Sequence, residues 1–154
     1  MNTEAAVSCL LIRAGRQLYA LRLEHVEETM RPLPVRTVAG VPPFVRGVAV
    51  IRGLPVPVVD AASVVGSGDA PSLVTRFVAL RMAGRGVALA VDEVVGVRRI
   101  DRPQLLQLPP LLAGAGDALL SAIGTLDTEL FMILRSGHLV PEDVWKAIDA
   151  GAAT

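Results

Sequence analysis

The chain repeats itself. Ala20-Leu21-Arg22-Leu23-Glu24-His25-Val26 lines up with Ala88-Leu89-Ala90-Val91-Asp92-Glu93-Val94 at an offset of 68, and Gly47-Val48 to Val65 lines up with Ala122-Ile123 to Val140 at an offset of 75. The second alignment pairs Ile51 with Leu126 and Val58-Val59 with Ile133-Leu134. A repeat of about 70 residues is too long for a solenoid unit and suits a small β-barrel. The halves fall at approximately 7–65 and 73–140, with the small polar run Gly66-Ser67-Gly68-Asp69-Ala70-Pro71 as the break between them. Neither half buries enough surface alone, so the 154 residues are expected to form one domain, 1–154, around a shared interior.

Each half reads as a series of strands and hairpins. Val7 to Arg13 and Leu18 to Leu23 flank the turn Ala14-Gly15-Arg16, with Leu18 and Ala20 on one face. Glu24 to Glu28 suits a helical turn or a bent strand. Pro32, Pro34, Pro42 and Pro43 then hold an extended loop, because proline fixes φ and restricts the residue before it. Val45 to Ile51 and Val56 to Val59 form a second hairpin about Arg52-Gly53-Leu54-Pro55, and Leu73 to Met82 with Val87 to Val91 a third about Ala83 to Gly86. The apolar content, 52% of the chain, is mostly aliphatic with only 3% aromatic, which favours strands. The expected class is therefore mainly β, two similar barrels of about five short strands each. A short helix is expected over approximately 141–149, where Pro141, Glu142 and Asp143 suit a helix start and Val144, Ala147 and Ile148 recur at helical spacing.

Several functions are disfavoured. Formal net charge is zero and stacking aromatics are few, which argues against nucleic acid as a partner. Cys9 is the sole cysteine, so neither an internal disulfide nor a cysteine-based zinc site can form. His25 and His138 lie on opposite halves, no nucleophile elbow is present, and the glycine pairs at 66–68 and 84–86 lack a phosphate-binding lysine. Glu24, Glu27 and Glu28 with Asp92 and Glu93 read as caps of polar turns rather than as a carboxylate site. The expectation is a protein with no catalytic residues, no cofactor and no metal. With no basic leader running into an apolar stretch and no long apolar run, no membrane insertion is expected and the cytoplasm is the default location.

The stretch Pro42-Pro43-Phe44-Val45-Arg46-Gly47-Val48-Ala49-Val50-Ile51-Arg52-Gly53-Leu54-Pro55-Val56-Pro57-Val58-Val59-Asp60 resembles the central signature of the CheW family: a proline-flanked Phe or Ile before Gly-Val, an apolar-Arg-Gly turn, then Pro-apolar-apolar-Asp. Upstream, Gly15 to Leu21 and Val26-Glu27-Glu28 resemble the family's first hairpin and its Val-x-Glu segment. Downstream, Arg85 to Val94 is similar to the hairpin of its second half. The likeness covers nearly the whole chain. It departs at Val50, where the family often has Asn, and at Ala61-Ala62, where it often has Leu-Arg.

The resemblance implies two intertwined SH3-like five-stranded barrels and a non-enzymatic adaptor. Such a protein binds the cytoplasmic tip of a chemoreceptor and the regulatory domain of a CheA-like histidine kinase, and is tied to membrane arrays only through those partners. It also implies that Val26, Glu28, Gly47 and Arg52 contact the receptor. A receptor helix needs a groove with aliphatic walls and charges at its rim, which Val45, Val48, Val56 and Val58 could line in part. The departures leave room for a specialised paralogue in a pilus or other chemosensory-like pathway, binding a kinase without receptor coupling.

Overall fold

The computed structural model describes residues 6–64, 73–82, 84–101, 105–106, 120–126, 129–135, 139–140 and 142–146. Strand β1 (Ala6–Ala14) turns at Gly15, φ 64°, into β2 (Gln17–Arg22). A single 3-10 turn, Leu23–His25, leads to β3 (Val26–Met30), so the polar segment is both a helical turn and a strand. A strap, residues 31–44, crosses to β4 (Val45–Ile51), which returns as β5 (Leu54–Asp60) and ends in α1 (Ala61–Val64). Then come β6 (Arg76–Met82), β7 (Arg85–Val91), β8 (Glu93–Asp101), β9 (Leu105–Leu106), β10 (Leu120–Leu126) and β11 (Glu129–Leu134). Residues 142–146 are helical; the remainder of the expected C-terminal helix and the 66–71 break lie outside the described residues.

The protein is mainly β and has two sheets, ordered β8-β1-β2-β11-β10-β9 and β3-β6-β7-β5-β4. Shifting β1 to β3 by 68 and β4 and β5 by 75 converts one order into the other, with β9 as an extra edge strand, so among the described residues the sheets have six and five strands. Their irregularities shift too. Bulges leave Glu27 on β3 and Val95 on β8 without a partner, and likewise Arg46 on β4 and Ser121 on β10. A bulge bends a strand and increases its twist, which is how short sheets curl. Neither ladder closes into a ring among the described residues.

The hairpins change places. β1 and β2 sit in the sheet made otherwise of β8 to β11, while β6 and β7 sit with β3, β4 and β5. Two parallel seams fix the exchange, Leu18 to Ala20 against Phe131 to Ile133 and Val58 to Asp60 against Ala88 to Ala90.

Burial explains why alternation is faint in the sequence. Leu18, Tyr19, Ala20 and Leu21 are all buried. Leu18 and Ala20 face the interior of the six-stranded sheet with Cys9, Leu11 and Phe131, whereas Tyr19 and Leu21 face a larger cluster shared between the sheets. A third cluster, around Phe77, Val58 and Ala88, fills the five-stranded sheet and is covered by strap residues Leu33 and Val35. A strand covered on both sides reads as an unbroken apolar run. Val144 of the C-terminal helix is buried in the shared cluster; Arg85 lies 4.9 Å from the Trp145 ring centroid and donates to Glu142.

Candidate functional site

The five-stranded sheet has β3 and β4 as its outer strands. Ile51 pairs with Leu54, so the loop between β4 and β5 has two residues, Arg52 at φ 53° and Gly53 at φ 79°. Positive φ at both positions defines the hairpin turn whose twist matches the flanking strands. Glycine takes it freely; Arg52 is the one described non-glycine residue with positive φ.

From this tip the Arg52 guanidinium reaches the opposite edge strand, where Nη2 donates to Glu28 Oε2 at 2.5 Å. The two residues identified from the resemblance are thus joined across 24 positions of sequence. The Arg52 side chain is 75% exposed and that of Glu28 33%. An exposed pair of this kind contributes only about 0–1 kcal/mol to folding. What it does is orient: it holds a planar cation with unused donors at the surface.

Val26 lies on β3, half-buried, and packs against the shared cluster. Gly47 lies on β4 beside the Arg46 bulge at φ 142°, a conformation L residues rarely adopt. A Cβ there would stand 2.1 Å from the Arg36 carbonyl oxygen. Gly47 therefore lets the strap approach, and Arg36 and Val48 exchange two backbone hydrogen bonds of 2.8 Å beside it.

The strap and β4 enclose a groove of about 1030 Å3. Of the four valines suggested as walls, only Val48 lines it; Val45, Val56 and Val58 are buried in the cores. The groove is completed by Val50, 66% exposed, together with Pro55 and strap residues including Leu33, Val35 and Val38. The strap wall had no periodic signal, since its prolines suppress regular structure, and the unbroken apolar run Val48 to Ile51 of β4 did not tell its faces apart; in the structure 45, 49 and 51 are buried and Val48 and Val50 turn outward.

The acidic residues do not converge. Glu27 accepts from Arg81 at 2.6 Å, Glu24 pairs with Arg22, Glu93 with Arg13, and Asp92 Oδ2 accepts from the Leu73 N–H. Among the described residues no three His, Cys, Asp or Glu side chains group as a metal site would require, and no helix is long and apolar enough to cross a membrane. His138 lies outside the described residues. Asp60, the acid of the signature, is structural: its N–H donates to Phe44 O at 2.7 Å, and its Oδ2 accepts from Ser63 and lies 3.5 Å from Arg46.

Two other groups are perturbed. The hydrogen bonds from Arg13 to Glu129, 2.6 and 2.9 Å, hold the Glu129 carboxyl below the usual carboxylate range. Burial pushes the Cys9 thiol up, which disfavours the reactive thiolate.

Comparison with known proteins adds the following. The model of the CheW-like domain family matches residues 8–144. The chemotaxis protein CheW of Klebsiella aerogenes is 23% identical over 141 residues, 91% of this chain and 85% of that one. The crystal structure of the scaffolding protein TtCheW from Thermoanaerobacter tengcongensis superposes with a TM-score of 0.74 at 23% identity, covering 84% of this chain and 88% of the other.

Proposed function

Since the chain belongs to the CheW-like domain family, we propose that it is a non-enzymatic adaptor of bacterial chemotaxis, coupling the cytoplasmic tips of chemoreceptors to the regulatory domain of a CheA-type histidine kinase. The observation that carries this reading is the Arg52–Glu28 pair: a guanidinium on a rigid two-residue turn, steered by a carboxylate from the opposite edge strand. A receptor helix presents an apolar stripe and flanking charges, and an oriented arginine at the rim of an apolar surface is suited to meet them. Val26 contributes a half-buried apolar contact on the same strand as Glu28, and Gly47 acts through the shape it permits. The protein works in the cytoplasm and reaches the membrane through its partners.

A narrower version makes it a specialised paralogue of a pilus or other chemosensory pathway that binds a kinase without a receptor. Val50 favours it: where the family often has Asn, this chain exposes an apolar side chain near the arginine. Both readings meet in one experiment, titration of wild type and Arg52→Glu against a receptor-tip fragment and, separately, a CheA-type regulatory domain. Loss confined to the receptor fragment supports coupling. No receptor binding by wild type, with kinase binding intact, selects the narrower version, and equal loss for both partners means Arg52 has another role.

A further inference from the structure

The strap pairs with β4 once and stops. Arg36 and Val48 form an isolated antiparallel bridge. The next pair in that register is Pro34 with Val50, and Pro34 has no N–H to give. Val50 follows Val48 by two residues, so its N–H and C=O point the same way, off the outer edge of β4 and into the groove. Among the described residues, the edge at Val50 thus has no partner strand and lies beside apolar walls, Leu33, Val35 and Val38 on one side and Val48, Val50 and Pro55 on the other.

We propose that this edge, beside the Arg52 tip, is a docking site for an extended peptide segment with apolar residues at alternate positions and an acidic side chain. Three observations select that occupant. An unpaired strand edge is satisfied by extended backbone, not by a helix, whose own N–H and C=O groups are already used. The walls are apolar, so the side chains entering the groove are apolar too. Arg36, exposed at the rim, has no ion-pair partner among the described residues.

The test is an NMR titration of the 15N-labelled protein with a capped synthetic peptide of alternating Val and Glu, about eight residues long, the length of an ordinary strand. Two companions complete it: the same peptide N-methylated at every second amide, and a Val-Lys peptide. The expected result is shifts at Arg36, Val48 and Val50 with slowed exchange of the Val50 amide. Binding should vanish for the N-methylated peptide and fall about tenfold for Arg36→Glu, the cost of reversing one charge at an interface rim. Equal binding by the N-methylated or Val-Lys peptide, shifts confined to other strands, or no binding at all overturns the proposal. Concentration-dependent dimerisation that protects Val50 without peptide does so too, in favour of a second copy.

Discussion

Replacing Gly47 by alanine is the most severe single-methyl change available near the site. The new Cβ would meet the Arg36 carbonyl oxygen at 2.1 Å, its carbonyl carbon at 2.8 Å and Val35 Cγ1 at 3.0 Å, and two of the three are backbone that cannot rotate away. Keeping φ near 142° with a Cβ costs about 1–3 kcal/mol. The clash persists at that φ, so the strap must also move, which breaks both 2.8 Å hydrogen bonds between Arg36 and Val48, each worth about 0.5–1.5 kcal/mol, and lifts Leu33 and Val35 from the third core cluster. A loss on the order of 3–5 kcal/mol follows, a large part of the roughly 5–15 kcal/mol that holds a domain together. Gly53→Ala is the control: φ is also positive but the space is open, so only the backbone cost of about 1–2 kcal/mol applies. Urea denaturation gives the stabilities, and hydrogen exchange reads the Arg36 and Val48 amides. If Gly47→Ala stays within about 1 kcal/mol of wild type with both amides still protected, the close approach has been misjudged.

Arg52→Glu should change folding stability by no more than about 1 kcal/mol, because the pair it breaks is exposed, yet weaken receptor-tip binding roughly thirtyfold with kinase-domain binding retained. Cleavage within residues 65–72 should give two fragments that are unstructured apart and regain β signal when mixed, since each supplies two strands to the other's sheet; cooperative unfolding of either fragment alone would contradict the exchange. Glu129 has a folded pKa below its unfolded one, so its contribution is complete above the ordinary value of 4.5 and is lost as pH falls through the folded value. Glu129→Gln should therefore lose stability less steeply than wild type in urea midpoints taken between about pH 5 and pH 3.

Much of the strand layout was legible because β-branched runs are bounded by glycine and proline. Val45 to Ile51 was placed to the residue, and the offsets of 68 and 75 relate strands that occupy matching places in the two sheets. The faces were harder. Leu18 and Ala20 do share one face, as alternation implies, but Tyr19 and Leu21 fill a second core, so no polar face marks the pattern. β8 runs from Glu93 to Asp101 but interleaves Gly96 and the exposed Arg98 and Arg99 with its apolar residues, which hides it. Within the site, Glu28 and Arg52 were picked out singly by resemblance, but their bond depends on how the sheet curls and brings its edges together, and no local pattern encodes that. Gly47 shows the same limit: its type was legible, while its reason, the Arg36 carbonyl, comes from a segment without regular structure.

The traded hairpins say something about ancestry. A chain holding only one repeat would supply β3, β4 and β5 with a gap where the β6–β7 hairpin now sits, and a two-stranded arm equivalent to the hairpin that fills it. Two such chains would solve the problem by swapping arms about a two-fold axis, burying between them the cluster that lies between the sheets here. Tandem fusion of that homodimer yields this connectivity directly. It also frees the two halves to diverge: where one tip carries Arg52, the position 75 residues on carries Asp127, and where one edge strand carries Glu28, its counterpart carries Gly96. A symmetric dimer must present every surface twice; the fused chain presents its arginine tip once, and so has a direction.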